Sequence, residues 1–159
     1  RLDWGRGSLL EKKPLSRSEM MSRIGATNTK PELVVRRGLH AAGFRFRLHR
    51  GDLPGRPDLV LPKHRAAIFV NGCFWHRHEG CANFRLPKTN TEFWQRKIER
   101  NVPRDAAAVE ELRKCGWRVL LVWECATRRT PVDHLAREIA LWIAGNQNEG
   151  EITASADNA

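Results

Sequence analysis

The chain has 159 residues, of which 41% are hydrophobic and 29% are charged, a composition typical of one soluble globular domain with a buried core. Lysine and arginine (28) exceed aspartate and glutamate (18), so the formal net charge is +10 at pH 7, which favours a polyanionic partner such as nucleic acid. No apolar run approaches the roughly 18 residues of a membrane helix, and no secretory signal is visible. We therefore expect a cytoplasmic protein without a membrane partner.

The first predicted elements are an arm, a helix and a strand. Residues 1–27 are polar and basic without a sustained hydrophobic period, and we expect a basic N-terminal arm. A helix is predicted over 27–43, because Thr29 and Glu32 form a capping box. The alternation of apolar and basic residues at 44–48, FRFRL, predicts a half-buried strand.

The middle of the chain predicts two more strands, a long helix and a central strand. The short apolar runs 58–61 and 66–70 are joined by a loop of hairpin length. A helix follows at 91–112, and Pro103 within it is expected to kink or restart it. The β-rich run 117–124, WRVLLVWE, predicts a central strand.

The last predicted helix begins with a second capping box, Thr130 with Asp133. The order helix, three strands, helix, strand, helix predicts an α/β fold, a mixed β-sheet flanked by helices. The chain is thus divided into the arm (1–27), one domain (28–145) and a polar, flexible tail (146–159).

Residues 71–81, NGCFWHRHEGC, bring cysteines and histidines close together. In a chain without a secretion signal, such residues favour metal binding over disulfides. Thiolate and imidazole groups suit zinc, and four protein ligands make a closed, structural site. The predicted ligands are Cys73, His78, Cys81 and Cys125. By spacing alone His76 can replace His78. Cys115, which precedes a turn, is a poorer fourth ligand than Cys125.

A second group of residues has the chemistry of a metal-dependent nuclease. Pro57-Asp58 opens a strand, where a carboxylate can hold Mg²⁺ against a phosphate, although such a pair alone is usually a turn. His76, which zinc does not require, suits general base or acid chemistry. Asp105, on the apolar side of its helix, is a candidate to orient that histidine. Glu32 can join a metal or water network, but the capping box already explains it.

Large aromatic residues lie in the same basic region. Phe74 and Trp75 stand between two predicted zinc ligands, and Phe93 and Trp94 follow. Beside a nucleic-acid surface such rings can enter the base stack, and the alternative is that they cover the zinc site or the core. Phe74 and Trp75 favour the first role, whereas Trp94, on the apolar face of its helix, fits either.

Four segments resemble the successive motifs of the very short patch repair (Vsr) mismatch endonucleases: LPGRPDLVL, IFVNGCFWHRHEGC, TEFWQRKIERNVPRD and GWRVLLVWEC. The likeness extends from about residue 16 to about residue 143 and implies a restriction-endonuclease-like fold of the PD-(D/E)XK type. It implies an Mg²⁺-dependent enzyme, with two catalytic ions and one structural Zn²⁺, that nicks duplex DNA 5′ to the thymine of a T:G mismatch. It also implies a monomer, with downstream repair proteins as further partners.

The resemblance also implies roles for single residues. Asp58 matches the metal-binding aspartate, and the main-chain carbonyl of Val70 would be a second ligand. His76 matches the catalytic histidine and Asp105 the aspartate that supports it. Glu32 matches a glutamate that orders water around the metal ions. The residues that match the structural zinc ligands are Cys73, His78, Cys81 and Cys125. Those that match residues inserted beside the mismatch are Phe74, Trp75, Trp94 and, from the opposite groove, Met21.

The chain departs from the family pattern at several positions. Asn71 stands where the best-studied members carry a second active-site histidine, so it is a candidate catalytic residue whose share the resemblance does not determine. One extra residue lies between His78 and Cys81, and Pro103 interrupts the stretch before Asp105. The strand that carries E-x-K in this fold reads IFVN here, without a lysine, so the site must use histidine chemistry.

Two other functions explain part of the sequence. A zinc-stabilised DNA-binding module accounts for the charge, the zinc ligands and the aromatic residues, but it leaves Asp58, His76 and Asp105 without a role. A restriction-type nuclease of the same fold, cutting matched DNA, uses these three residues but leaves the aromatic residues without one. A mismatch-specific nicking enzyme uses both sets.

Overall fold

The computed structural model describes residues 14–22, 25 and 27–154, and their strands form one mixed sheet in the order β1-β2-β3-β4-β5. The first three strands are antiparallel neighbours, whereas β3, β4 and β5 are parallel. The strands are β1 (Arg47–Leu48), β2 (Leu59–Leu61), β3 (Ala66–Asn71), β4 (Arg118–Trp123) and β5 (Glu149–Ile152).

Helices cover both faces of this sheet, which confirms the predicted α/β fold. Alternate residues of β3 point to opposite faces: Ile68 packs with Leu39 of α2 and Ile139 of α5, and Ala67 packs with Leu112 of α3. The helices are α1 (Arg17–Ser22), α2 (Lys30–Ala41), α3 (Thr91–Lys114), α4 (Glu124–Arg129) and α5 (Val132–Ala144). Within the described part of the chain, no helix is both long and apolar enough to span a bilayer.

Two of the predicted local boundaries differ from the structure. Only Arg47 and Leu48 of the predicted strand 44–48 pair with β2. The second capping box is wrong, because Thr130 ends helix α4 in an extended conformation and its N–H bonds to the carbonyl of Ala126. Helix α5 then begins after Pro131 without a side-chain cap.

Helix α3 continues through Pro103 as one element, so the predicted restart is wrong. Proline removes one backbone hydrogen bond from a helix interior. Buried side chains hold the helix on both sides of this position, with Trp94 and Ile98 before the proline and Leu112 after it. Tertiary packing therefore overrides the local signal of Pro103.

Parts of the predicted arm and tail are ordered elements. Residues 17–22 of the arm form α1, while residues 1–13 lie outside the described residues. Within the predicted tail, residues 149–152 form β5, with Val122 of β4 opposite Ile152. The predicted flexible tail is therefore wrong for these residues, because β5 pairs with the otherwise open edge of β4 and Ile152 packs on the core. Residues 155–159 are outside the described part.

Candidate active site and metal centre

The four predicted zinc ligands converge where β3 and β4 end. These strands are parallel with Asn71 opposite Trp123, so the segments that follow them leave the sheet side by side. The ligand atoms all lie within 4.8 Å of one another, and the residues are Cys73, His78, Cys81 and Cys125. Cys115 is exposed and lies outside this group. Three thiols and one imidazole fit a closed zinc site.

A second layer of contacts supports the zinc ligands. The His78 ring stacks on Trp123, with 4.1 Å between ring centroids and 5° between planes. The Trp123 indole N–H in turn donates to the carboxylate of Glu151 in β5. The backbone N–H of Ala154 donates to Cys125 Sγ at 3.4 Å. Glu151 of β5 therefore supports His78 through Trp123, and Ala154, two residues after β5, contacts Cys125, as outer partners do at metal sites.

The electrostatics of these buried ligands also fit a bound cation. Burial raises the pKa of the Cys73 thiol, and the nearby Cys125 and Cys81 raise it further. Burial lowers the pKa of His78, which favours the neutral imidazole that binds metals. Neighbouring buried thiolates repel one another unless a cation lies between them. The group thus suggests zinc.

Glu151 offers a test of this support from β5. We expect Glu151→Ala to weaken zinc binding by about tenfold, since outer partners of a metal ligand contribute about 10- to 100-fold in affinity. Competition with a chromophoric chelator measures the change. Glu149→Ala is the matched control, because Glu149 lies in the same strand but pairs with exposed Arg113. Equal zinc affinities for the two variants would show that Glu151 does not support the zinc ligands.

His76 and Asp105, predicted to act together, form a hydrogen-bonded pair. His76 Nδ1 lies 2.5 Å from Asp105 Oδ2, and both side chains are partly exposed. If Nδ1 donates, Nε2 keeps a lone pair that can accept a proton. Asn101 of α3, which the sequence analysis did not single out, donates to the carbonyl of Trp75 at 2.9 Å and so ties the loop of His76 to the same helix. Pro103 does not prevent this pairing.

A third group surrounds Asp58 at the start of β2. Asp58 Oδ2 accepts a hydrogen bond from the Val70 N–H at 2.7 Å, and its carboxyl group also lies against that of Glu32. Glu32 is buried, with 1% of its surface exposed, and its Oε1 is hydrogen-bonded by His49 Nε2. Donor atoms of Glu32, His49 and Asp58 lie within 4.8 Å of one another.

His49 is the member of this group that the sequence analysis missed. It directly follows β1, and its N–H donates to the carbonyl of Asp58 at 3.2 Å. The available sequence signal is a histidine directly after the predicted strand FRFRL. That histidine lies beside Asp58 because Leu48 pairs with Leu59, which places the next residue of one strand opposite the preceding residue of the other.

The electrostatics of this group favour a bound cation. Burial raises the pKa of Asp58 to about 7, and the negative charge of Glu32 adds to the shift against the opposing hydrogen bond from Val70. Glu32 Oε2 is buried without a hydrogen-bond partner, and the Arg36 guanidinium lies 3.5 Å from it. Two adjoining carboxyl groups with an unsatisfied oxygen fit a divalent cation.

Thr29 holds the helix end that presents Glu32. Its hydroxyl accepts a hydrogen bond from the Glu32 N–H at 3.4 Å, which confirms Thr29 as the N-cap. The Glu32 side chain, however, bonds His49. The capping box alone does not explain this glutamate.

The aromatic residues predicted to enter DNA form one cluster. Trp75 packs edge to face against Phe74 and Trp94, with centroids 5.2 and 5.5 Å apart. Phe74 and Trp94 are buried. The Trp94 indole donates to Ser18 Oγ of α1 at 2.8 Å, and Met21 packs on the same cluster. The structure thus brings these four residues together, with α1 lying against the rings.

Two more predicted residues lie at the end of β3. Val70 contacts Asp58 through its N–H, so its main-chain carbonyl remains a predicted ligand. Asn71 is the last residue of β3 and is buried, with 6% of its surface exposed. Its share in catalysis remains a prediction.

Known proteins resemble this chain over most of its length. The family model of the DNA mismatch endonuclease Vsr matches residues 11–83. A type II nicking enzyme of Xanthomonas oryzae is 49% identical over 112 residues, 70% of this chain and 82% of the relative. The DNA mismatch endonuclease Vsr of Escherichia coli is 41% identical over 140 residues, 86% and 89% of the two chains. A type II nicking enzyme of Neisseria meningitidis is 41% identical over 128 residues, 77% and 91%.

These relatives confirm the resemblance seen in the sequence motifs. Identities of 41% to 49% over more than four fifths of each relative agree with the mixed sheet and with the Cys and His cluster of the structure. The chain therefore belongs to the DNA mismatch endonuclease Vsr family and is a DNA endonuclease of the nicking type.

Proposed function

We propose that this enzyme nicks duplex DNA 5′ to the thymine of a T:G mismatch in a reaction that requires Mg²⁺, and so begins very short patch repair. The observation that carries the proposal is the placement of two separate groups at one end of β3. Asp58, bonded to Val70, provides the carboxylate side. His76, in the loop after Asn71, provides the imidazole paired with Asp105.

The carboxylate side would hold the cation. Asp58, Glu32 and the carbonyl of Val70 are the proposed ligands and water-ordering groups, and the family resemblance supports two ions. When bound, Mg²⁺ supplies positive charge to the scissile phosphate and activates water. The unsatisfied oxygen of Glu32 and the raised pKa of Asp58 support such a site.

The imidazole side would move the proton. His76 Nε2 takes a proton from the attacking water, while Asp105 holds Nδ1–H and stabilises the charged ring that results. Asn71, buried at the end of β3 between Val70 and the loop of His76 in the chain, keeps its predicted share in catalysis. No lysine of β3 is needed for this chemistry.

Mismatch recognition would use the aromatic cluster. Phe74, Trp75 and Trp94 are proposed to enter the base stack from one groove and Met21 from the other. Because α1 lies on these rings through Ser18 and Met21, α1 has to move when DNA bases contact the rings. The net charge of +10 supplies the non-specific attraction to the DNA backbone.

A nicking enzyme that acts on matched DNA is the second candidate. Relatives with 49% and 41% identity are named type II nicking enzymes, and that name does not mention a mismatch. Such an enzyme would use the same carboxylate and imidazole groups.

One cleavage experiment separates these functions. Duplexes labelled on either strand, matched or with a T:G mismatch, are incubated with the enzyme and Mg²⁺, or with EDTA followed by excess Mg²⁺. We expect a nick only in the thymine strand of the mismatched duplex, lost with EDTA and restored by Mg²⁺. Asp58→Ala should abolish it, whereas Asp52→Ala, at an exposed aspartate paired with Arg50, should not. Nicking of matched DNA supports the second candidate, and DNA bound without cleavage contradicts both.

The His76 and Asp105 pair can be tested by kinetics. We expect Asp105→Asn to lower the single-turnover nicking rate by about 10²-fold, at the lower end of the contribution of general base catalysis. Added to His76→Ala, the same change should cost almost nothing more, since the two residues act as one unit. Asp133→Asn, at an exposed position of α5, is the control. If the free-energy costs of the two single substitutions instead add up in the double variant, the two residues do not act as one unit.

A further inference from the structure

The group of Glu32, His49 and Asp58 includes one nitrogen donor that the magnesium chemistry does not use. Mg²⁺ is held by oxygen ligands, whereas an imidazole nitrogen is a ligand of the first-row transition-metal dications, of which Mn²⁺ binds most weakly. We propose that His49 is a direct ligand of the cation at Asp58, and that its nitrogen raises the affinity of this site for Mn²⁺ more than its affinity for Mg²⁺. The inference rests on the proposed function, since it takes Asp58 as a ligand of the catalytic cation.

The backbone places His49 beside Asp58. Pairing of Arg47 with Val60 and of Leu48 with Leu59 brings His49 level with Asp58, and its N–H donates to the carbonyl of Asp58. His49 has a φ of +46°, in the left-handed region that histidine, like asparagine and aspartate, adopts more often than most other residues.

The side chain of His49 points into the buried group. Only 14% of it is exposed, and its Nε2 contacts the Glu32 carboxylate. Glu32 Oε2 is buried without a hydrogen-bond partner. The Arg36 guanidinium lies 3.5 Å from that oxygen and donates instead to Asn28 at 2.8 Å.

The donor set matches a mixed oxygen and nitrogen site. Two carboxylates and one imidazole each offer a donor atom within 4.8 Å of the other two, and the Val70 N–H holds Asp58 in place through Oδ2. A role limited to orienting Glu32 would need only the hydrogen bond between Nε2 and Oε1. It would predict that a side chain able to make the same hydrogen bond keeps the Mn²⁺ affinity of the site.

Mn²⁺ bound to the full chain distinguishes the two roles. With the zinc site filled, Mn²⁺ binding is followed by the electron paramagnetic resonance signal of the free ion. Pulsed measurements on the bound ion then report a directly coordinated ¹⁴N. We expect ¹⁴N modulation in the wild-type protein and its loss in His49→Gln, with Mn²⁺ affinity reduced about tenfold. Mg²⁺ affinity, measured by competition, should change less than about threefold, because Mg²⁺ gains little from nitrogen.

Glutamine is chosen because its amide can still donate to Glu32. If His49 only orients Glu32, His49→Gln keeps the Mn²⁺ affinity, and that result would overturn the proposal. Persistent ¹⁴N modulation in His49→Gln would overturn it as well. His40→Gln, at an exposed position of α2, and His76→Gln are controls that should both keep the modulation.

Failure of this inference can be told from failure of the proposed function. If Asp58→Ala abolishes nicking of T:G duplexes while the wild-type protein shows no ¹⁴N modulation, His49 is not a ligand and the proposed function stands. If modulation depends on His49 but T:G duplexes are not nicked, the ligand assignment stands and the substrate is wrong.

Discussion

Replacing Asp58 with asparagine is expected to lower the single-turnover nicking rate by about 10³-fold, because a catalytic metal ion contributes several kcal/mol of transition-state stabilisation. The asparagine has nearly the same size and can still accept the hydrogen bond that Asp58 takes from Val70. The loss would therefore come from the missing charge. Rates at saturating enzyme and Mg²⁺, measured on the T:G duplex, test this.

The same variant is expected to stabilise the protein in the absence of Mg²⁺. Burial, with Glu32 as a further cause, raises the pKa of Asp58 to about 7, above the ordinary value of about 3.9 for an unfolded chain. Between these values the folded state binds a proton that the unfolded state has released. Stability therefore falls as pH rises through this window, and the contribution is lost above about pH 7.

Urea unfolding of the zinc-loaded, Mg²⁺-free protein measures this effect. We expect Asp58→Asn to exceed the wild type in unfolding free energy at pH 8 by roughly 1 kcal/mol or more, and to differ less at pH 5. Asp52→Asn, at an exposed position, should leave both the rate and the pH dependence of stability unchanged. If Asp58→Asn nicks the T:G duplex at the wild-type rate, or is less stable than the wild type at pH 8, the assignment of Asp58 as a buried metal ligand is refuted.

Cys125→Ser is expected to release zinc and to unfold the domain, or to lower its melting temperature sharply. Zinc binding in small structural sites contributes about 10–16 kcal/mol to folding, which is comparable to the whole stability of a domain, about 5–15 kcal/mol. Cys125 is 2% exposed and accepts a hydrogen bond from the Ala154 N–H. A serine at this position leaves the zinc ion with three protein ligands and one vacant coordination position.

Zinc content by mass spectrometry and thermal unfolding by circular dichroism test the change. Cys115→Ser is the matched control, since Cys115 is exposed and outside the ligand group. It should keep one zinc and the wild-type melting temperature. A folded Cys125→Ser protein that still holds one zinc would show that the ligand set is wrong.

Local patterns were enough to predict much of this molecule. The zinc ligands Cys73, His78 and Cys81 are close in the chain, so their spacing alone indicates a metal site. The N-cap Thr29 depends only on the residues of one helical turn. The apolar runs of β3 and β4 are buried on both faces of a sheet, and a run of this kind can be read directly. These features depend on neighbours in sequence.

Other features were decided by contacts between distant segments. Cys125, already predicted as the fourth zinc ligand, reaches the other three because Asn71 and Trp123 are opposite each other in parallel strands. His49 meets Asp58 only through the register of β1 with β2, and the loop between them does not reveal that register. The polar segment of β5 becomes a strand because β4 offers an open edge. Trp94, which fitted either role by sequence, is packed with Phe74 under Ser18 and Met21.

The physical reason is the range of the interactions. Ligand spacing, helix caps and hydrophobic periodicity are set within a few residues, and the sequence therefore determined the fold class, the family and the chemistry of the zinc loop. Strand register and edge pairing are set by backbone hydrogen bonds between segments far apart in the chain. Only the tertiary structure decided that a third donor, His49, joins the buried carboxyl groups of Glu32 and Asp58.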